Sequence, residues 1–298
     1  MLQRAAIVGR TFWDDAVCML ADSAESAADN GLAVLRPLLD SLARRELIIR
    51  LERSAFAGTE EYTFKHNLLR EVTYETVLLR ARRQLHARVA RWLELNAGAR
   101  LGEYLGLIAE HYTLAGANTR AAAYLERAGD SAQRSGAYRS ARAAFERALA
   151  ILQAEEAEPE AAISALRLKL GAIAWNLGDF PTAERALFYA RDYARRAGDG
   201  RAQATALYWL SRVAISRGDY AQARMLLAYS LPLARAADAE TLGQVLYGAV
   251  SYTPLRAHET VLDLVCPLLL EKKKQPKTQT TKTTHNHIKL ANGATQPE

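Results

Sequence analysis

The sequence predicts a mainly α-helical chain with one β-hairpin in its first third and a run of paired helices after it. Three observations point there. Apolar residues recur three and four apart over most of the chain, the spacing that gathers them on one helical face. The period changes only at Leu47-Ile-Ile-Arg-Leu-Glu52 and Glu61-Tyr-Thr-Phe-Lys65, which have strand composition and partial alternation. From Leu101 onward no strand pattern returns, and Gly136-Ala-Tyr138, Gly178-Asp-Phe180 and Gly218-Asp-Tyr220 each stand between two Ala-rich amphipathic stretches. Composition agrees: at 50% hydrophobic and 24% charged, the chain is ordinary globular protein, long enough for one or two packed domains.

Taken in order, Leu2-Gln-Arg-Ala-Ala-Ile-Val8 is helical from the first residues, as at an internal start in a longer gene. Phe12 to Leu20 and Leu32 to Leu47 keep the helical spacing and predict two more helices. Cys18 lies in such an apolar stretch, where a lone Cys is usually a core residue. The two strands enclose Ser54-Ala-Phe-Ala-Gly-Thr59, so they read as a hairpin with an irregular turn. Asn67 is a good helix cap. Leu68, Val72, Leu78, Leu85, Val89 and Trp92 then predict one long helix that keeps a face buried to about Leu95. Helices followed by a two-stranded wing are the winged-helix arrangement, assigned to residues 1–96.

Residues 101–250 read as helix pairs. After each Gly junction a small and then a large residue stand at the same offsets: Ala141 and Phe145, Ala183 and Leu187, Ala223 and Leu227. Gly permits the turn, and Ala lets the helix backbones approach. Pro181 fits because a first helical turn does not need its missing donor. With Gly129 and Gly171 as the small residues of the first helices, the pattern resembles the tetratricopeptide repeat, although the intervals between junctions exceed the usual repeat length. Ala109-Glu-His-Tyr-Thr-Leu-Ala-Gly116 is a degenerate earlier unit, and a further one begins at Leu242-Gly-Gln-Val-Leu-Tyr-Gly248.

After Val250 the composition breaks. Lys occurs only at Lys65 and Lys169 before that point, yet six Lys crowd the remainder, and every residue from Lys272 to His287 is one encoded by codons of A and C alone. Ser251 to Thr260 and Asp263 to Lys272 resemble translated sequencing-library adapter. Residues 251–298 are therefore expected to be a non-native, disordered tail, and they are left out of fold reasoning. The tail contributes +3 of the formal charge of +6, so the basic balance says little about nucleic acid. Cys18 and Cys266 form no disulfide framework or CxxC metal pair, which fits a reducing cytoplasm. No basic-then-apolar leader and no membrane-spanning apolar run is present.

The order of segments also carries a family resemblance. Arg4-Ala-Ala-Ile-Val-Gly-Arg-Thr-Phe-Trp13, Tyr62-Thr-Phe-Lys-His-Asn-Leu-Leu-Arg-Glu-Val-Thr-Tyr74, Arg83-Gln-Leu-His86 and Ala109 to Gly116 resemble the stretch that follows the ATPase module in bacterial signal-transduction ATPases with numerous domains. Such proteins carry an adenylate or guanylate cyclase domain at one end or a LuxR-type DNA-binding domain at the other. The resemblance implies a winged helix packed against a nucleotide site and repeats that receive a regulatory partner. It implies ATP or ADP for the parent protein but no cofactor here, because the chain lacks the GxxxxGK[ST] phosphate loop. No cyclase domain with its metal-binding Asp pair is recognisable. The expectation is a non-catalytic fragment that couples partner or ligand binding to a nucleotide switch, the alternatives being part of a cyclase or of a LuxR-type regulator.

His66 is the candidate site residue. By resemblance, a His at the start of this helix lies near the phosphates of ADP; the rival reading is that it closes the hairpin onto the helix. His86 and His111 read as packing residues, since no two His share metal-ligand spacing with a carboxylate. Arg80, Arg82, Arg83, Arg88 and Arg91 form an Arg-rich stretch, but Arg80, Arg83 and Arg91 share their helix with Glu71, Glu75 and Glu94 and no aromatics interleave, so the stretch reads as a solvated face or domain contact, and direct DNA binding is disfavoured. Tyr104, Tyr112, Tyr124, Tyr138, Trp175, Tyr208 and Trp209 read as repeat core, with some able to line a groove.

Overall fold

Phe12 and Trp13, expected to open a helix, are extended instead. In the computed structural model, which describes residues 1–21, 31–155 and 159–251, helix α1 (Leu2–Val8) leads into strand β1 (Thr11–Trp13) and then α2 (Asp14–Met19). Helix α3 (Gly31–Arg44) precedes β2 (Ile48–Arg50) and β3 (Glu61–Phe64), the antiparallel hairpin that the sequence predicts. β1 pairs antiparallel with the other edge of β3, so the sheet has three strands in the order β1-β3-β2. Thr-Phe-Trp suits a strand because aromatic and β-branched residues pack well on a pleated surface. Phe12 lies opposite Tyr62, with its ring stacked 5.7 Å away.

The irregular turn contributes to the core. Phe56 is buried against Trp13, Trp92 and Tyr104, with ring centroids 4.8, 4.9 and 5.0 Å away. Asp14 is fully buried; its carboxylate accepts the Asp15 and Glu60 backbone N–H groups and the Arg36 Nε–H, each at 2.8 Å. Burying a charge is tolerable only with partners of this kind, and these tie α2 to α3 and to the start of β3.

The single long helix expected from Asn67 is two, α4 (Asn67–Glu75) and α5 (Leu79–Asn96). Leu78 between them is extended, with ψ 138°. Arg82 reaches back across the break, donating to the Val77 and Glu75 carbonyls at 2.6 and 2.7 Å, so acceptors that a continuous helix would use are satisfied otherwise. The break rotates α4 relative to α5. Val89 and Trp92 are buried as expected, but Leu68, Val72 and Leu78 are 69, 55 and 79% exposed, and Leu95 also faces outward. Cys18 is half-buried at the edge of this core.

A 3₁₀ turn (Gly98–Arg100) leads into eight helices: α6 (Leu101–Ala115), α7 (Asn118–Arg134), α8 (Tyr138–Gln153), α9 (Glu160–Asn176), α10 (Phe180–Ala197), α11 (Gly200–Ser216), α12 (Tyr220–Ala237) and α13 (Ala239–Ser251). Gly136, Gly178 and Gly218 join α7 to α8, α9 to α10 and α11 to α12 with φ of 75 to 79°, a left-handed conformation that Gly adopts without strain. Asp179, Asp199, Asp219 and Asp238 each accept the backbone N–H three residues on, which starts α10 to α13 with the same side-chain cap. The pairs close tightly: a Cβ on Gly129 would stand 2.4 Å from the buried Phe145 ring, and one on Gly171 would stand 2.5 Å from Leu187. Residues Met1–Gly248 form one unit; of the unit that follows, Ala249–Glu298, the description covers only the end of α13, and the expected adapter-like tail past Ser251 lies outside the described residues.

Candidate functional site

His66 caps α4 with extended backbone, φ −123° and ψ 126°, and Asn67 is the first helical residue, the reverse of the cap expected from sequence. The His66 side chain is exposed and makes no capping hydrogen bond; Asn67 Nδ2 donates to Glu71 Oε1 at 2.5 Å. The imidazole therefore stands open at a helix start whose first N–H groups lack a side-chain acceptor.

One turn further, α4, α5, α6 and the Val8–Arg10 link enclose a cleft of about 440 Å³ lined by Arg10, Arg70, Tyr74, His86, Glu110 and His111. His86 and His111 are buried, and their Nδ1 atoms are 2.9 Å apart. His86 Nε2 is 3.0 Å from the Tyr74 hydroxyl. Hydrogen bonds thus join Tyr74, His86 and His111 across α4, α5 and α6. Burial first, then the Arg82 and Arg70 charges, lower the His86 pKa to about 4, and burial lowers that of His111. Both are the packing residues that the sequence suggests, joined in a polar chain that spacing could not reveal.

The Arg-rich stretch divides. Arg82 closes the helix break, and Arg88 donates to the Met19, Leu20 and Ala21 carbonyls that end α2. Arg80, Arg83 and Arg91 are exposed.

On the helices from α6 onward, the aromatics also divide. Tyr112 and Tyr208 are core, whereas Trp175 on α9 and Trp209 on α11 are half-buried, with ring centroids 5.5 Å apart. The Arg212 guanidinium lies 4.6 Å from the Trp175 ring centre, and Trp175 Nε1 donates to Ser216 Oγ at 3.1 Å. Toward the other end of the same helices, Ala165, Leu168, Lys169, Ala202 and Thr205 line a groove of about 570 Å³ that Thr241 and Gln244 of α13 close. Its cations have partners: Lys169 meets Glu126 and Asp130, both at 2.7 Å, and Arg201 meets Asp238 at 3.2 Å and Glu240 at 3.5 Å. Arg212 has no carboxylate within 4 Å among the described residues.

Among the described residues no cluster of three His, Cys, Asp or Glu could hold a metal, and no helix is long and apolar enough to cross a membrane. No family model matches the chain, and a search of curated proteins finds no match.

Proposed function

We propose that this chain is a non-catalytic relay segment of a multidomain signalling ATPase, in which tetratricopeptide-like repeats receive a polypeptide partner and a winged-helix module passes its presence to a nucleotide switch on an adjoining domain. The observation that carries the binding half is the half-exposed Trp175, Trp209 and Arg212 shelf. Trp and Arg are the residues that most often anchor protein interfaces. For the nucleotide half, the support is the string from Phe64 to Glu71 together with the exposure of His66 at the start of α4, where a donor can meet an anion.

Two measurements test the reading. Incubated with ATP and Mg²⁺, the purified chain should give only background turnover; a rate that persists through repurification and vanishes on a point change within the chain overturns the non-catalytic assignment. In the full-length protein with its nucleotide domain, His66→Ala should weaken ADP retention by the loss of one hydrogen bond to a charged group, about 1.5–3 kcal/mol. Unchanged ADP affinity there returns His66 to closing the hairpin.

A further inference from the structure

We infer that the cleft between α4, α6 and the Val8–Arg10 link binds a small apolar α-amino acid, its carboxylate at Arg70, its ammonium at Glu110 and its side chain against Leu107 and Leu114. The inference is independent of the nucleotide and polypeptide roles proposed above, because neither His66 nor any helix beyond α6 lines this cleft. Two helix faces look into it. Asn67, Arg70 and Tyr74 on α4, and Leu107, Glu110, His111 and Leu114 on α6, stand three or four residues apart or nearly so, and each set shares one side of its helix. His86 of α5 and Ile7 and Val8 of α1 complete the lining. A volume of about 440 Å³ is that of a small-molecule pocket.

The charges in this lining are of both signs, and none is matched. Arg10, Arg70 and Glu110 make no ion pair among the described residues. Arg10 and Glu110 are exposed, so water solvates them. Arg70 is half-buried: its Nη1 donates to the Ala6 carbonyl at 3.3 Å and its Nε is enclosed without an acceptor, which leaves Nη2 to meet a counterion. Withdrawing a guanidinium from water costs free energy that a carboxylate partner offsets. With Arg10 in the same lining there are two guanidinium groups to one carboxylate, which favours an acid as the ligand. Glu110 decides what else that ligand carries. It repels a plain anion such as phosphate, whereas an ammonium next to the ligand's carboxylate gives it the opposite charge it lacks. An α-amino acid carries both groups on one carbon, which suits an Arg and a Glu that line one cleft without touching. Its side chain is left for Leu107 and for Leu114, which is 44% exposed.

Isothermal titration calorimetry of the whole chain with leucine, methionine and phenylalanine tests this, each beside the matching acid without the ammonium and the matching amine without the carboxylate. At least one amino acid should bind, and its two analogues should bind about tenfold more weakly or worse, as the loss of a hydrogen bond to a charged group requires. Arg70→Gln should abolish binding of the amino acid and of its matching acid alike. Glu110→Gln, at an exposed position that leaves folding intact, should erase the preference for the amino acid over that acid. Absence of binding by all three amino acids overturns the site. A matching acid that binds the natural chain as tightly as its amino acid overturns the ammonium at Glu110, and affinities unchanged in both variants place the ligand elsewhere and overturn the inference.

Discussion

An imidazole in water takes up a proton near pH 6.5, whereas His86 in its buried chain does so only near pH 4. Between those values the unfolded protein binds more protons than the folded one, so stability rises with pH. The contribution is complete above about pH 6.5 and is lost as the pH falls toward 4. His111 shifts the same way, and Arg70 and Arg82 add repulsion to any proton placed there. Thermal melts at pH 7.5, 5.5 and 4.5 should show a steeper fall in Tm for the natural chain than for a His86→Gln, His111→Asn variant; equal slopes would remove the pair from the acid response. His66 is exposed at its helix start, so His66→Ala should leave stability at neutral pH within about 0.5 kcal/mol of the parent.

The helix pairs depend on close approach and on repeated caps. Ala in place of a helical Gly gains about 1 kcal/mol of propensity, yet at Gly129 the new methyl would meet Phe145 at 2.4 Å in the core. Overpacking of that kind costs about 1–3 kcal/mol, so Gly129→Ala should lower stability in urea unfolding, and an unchanged or raised midpoint would show that Phe145 yields freely. Asp199→Ala should cost about 1 kcal/mol through its cap on Ala202 alone. Such features were readable in part. The hairpin and the Gly turns between successive helices follow from periodicity and Gly placement, and both stand where the sequence puts them. β1 escaped because three residues show no period. The break after α4 escaped because Thr76-Val77-Leu78 holds neither Gly nor Pro, and Arg82 stabilises it from outside. Trp175 and Trp209 look like core by spacing, since a helical stripe does not say whether another helix covers it.

At the scale of the whole molecule, the two halves meet in shared packing. Ile108 and Tyr112 of α6 and Ala121 of α7 belong to the same buried cluster as Phe12, Tyr62 and Trp92. Folding of the N-terminal module and of the first repeat helices should therefore be one event. In urea, circular dichroism, which follows all the helices, and the fluorescence of a Trp175→Phe, Trp209→Phe variant, which follows only Trp13 and Trp92, should give coincident transitions. Separated midpoints would mean that the repeats unravel independently, as stacked arrays can. The buried contact between His86 and His111 has a consequence in time as well as in energy. The proton held between the two Nδ1 atoms, 2.9 Å apart, exchanges for deuterium only when α6 parts from α5. The lifetime of that single proton is a clock for how often the joint between module and repeats comes open.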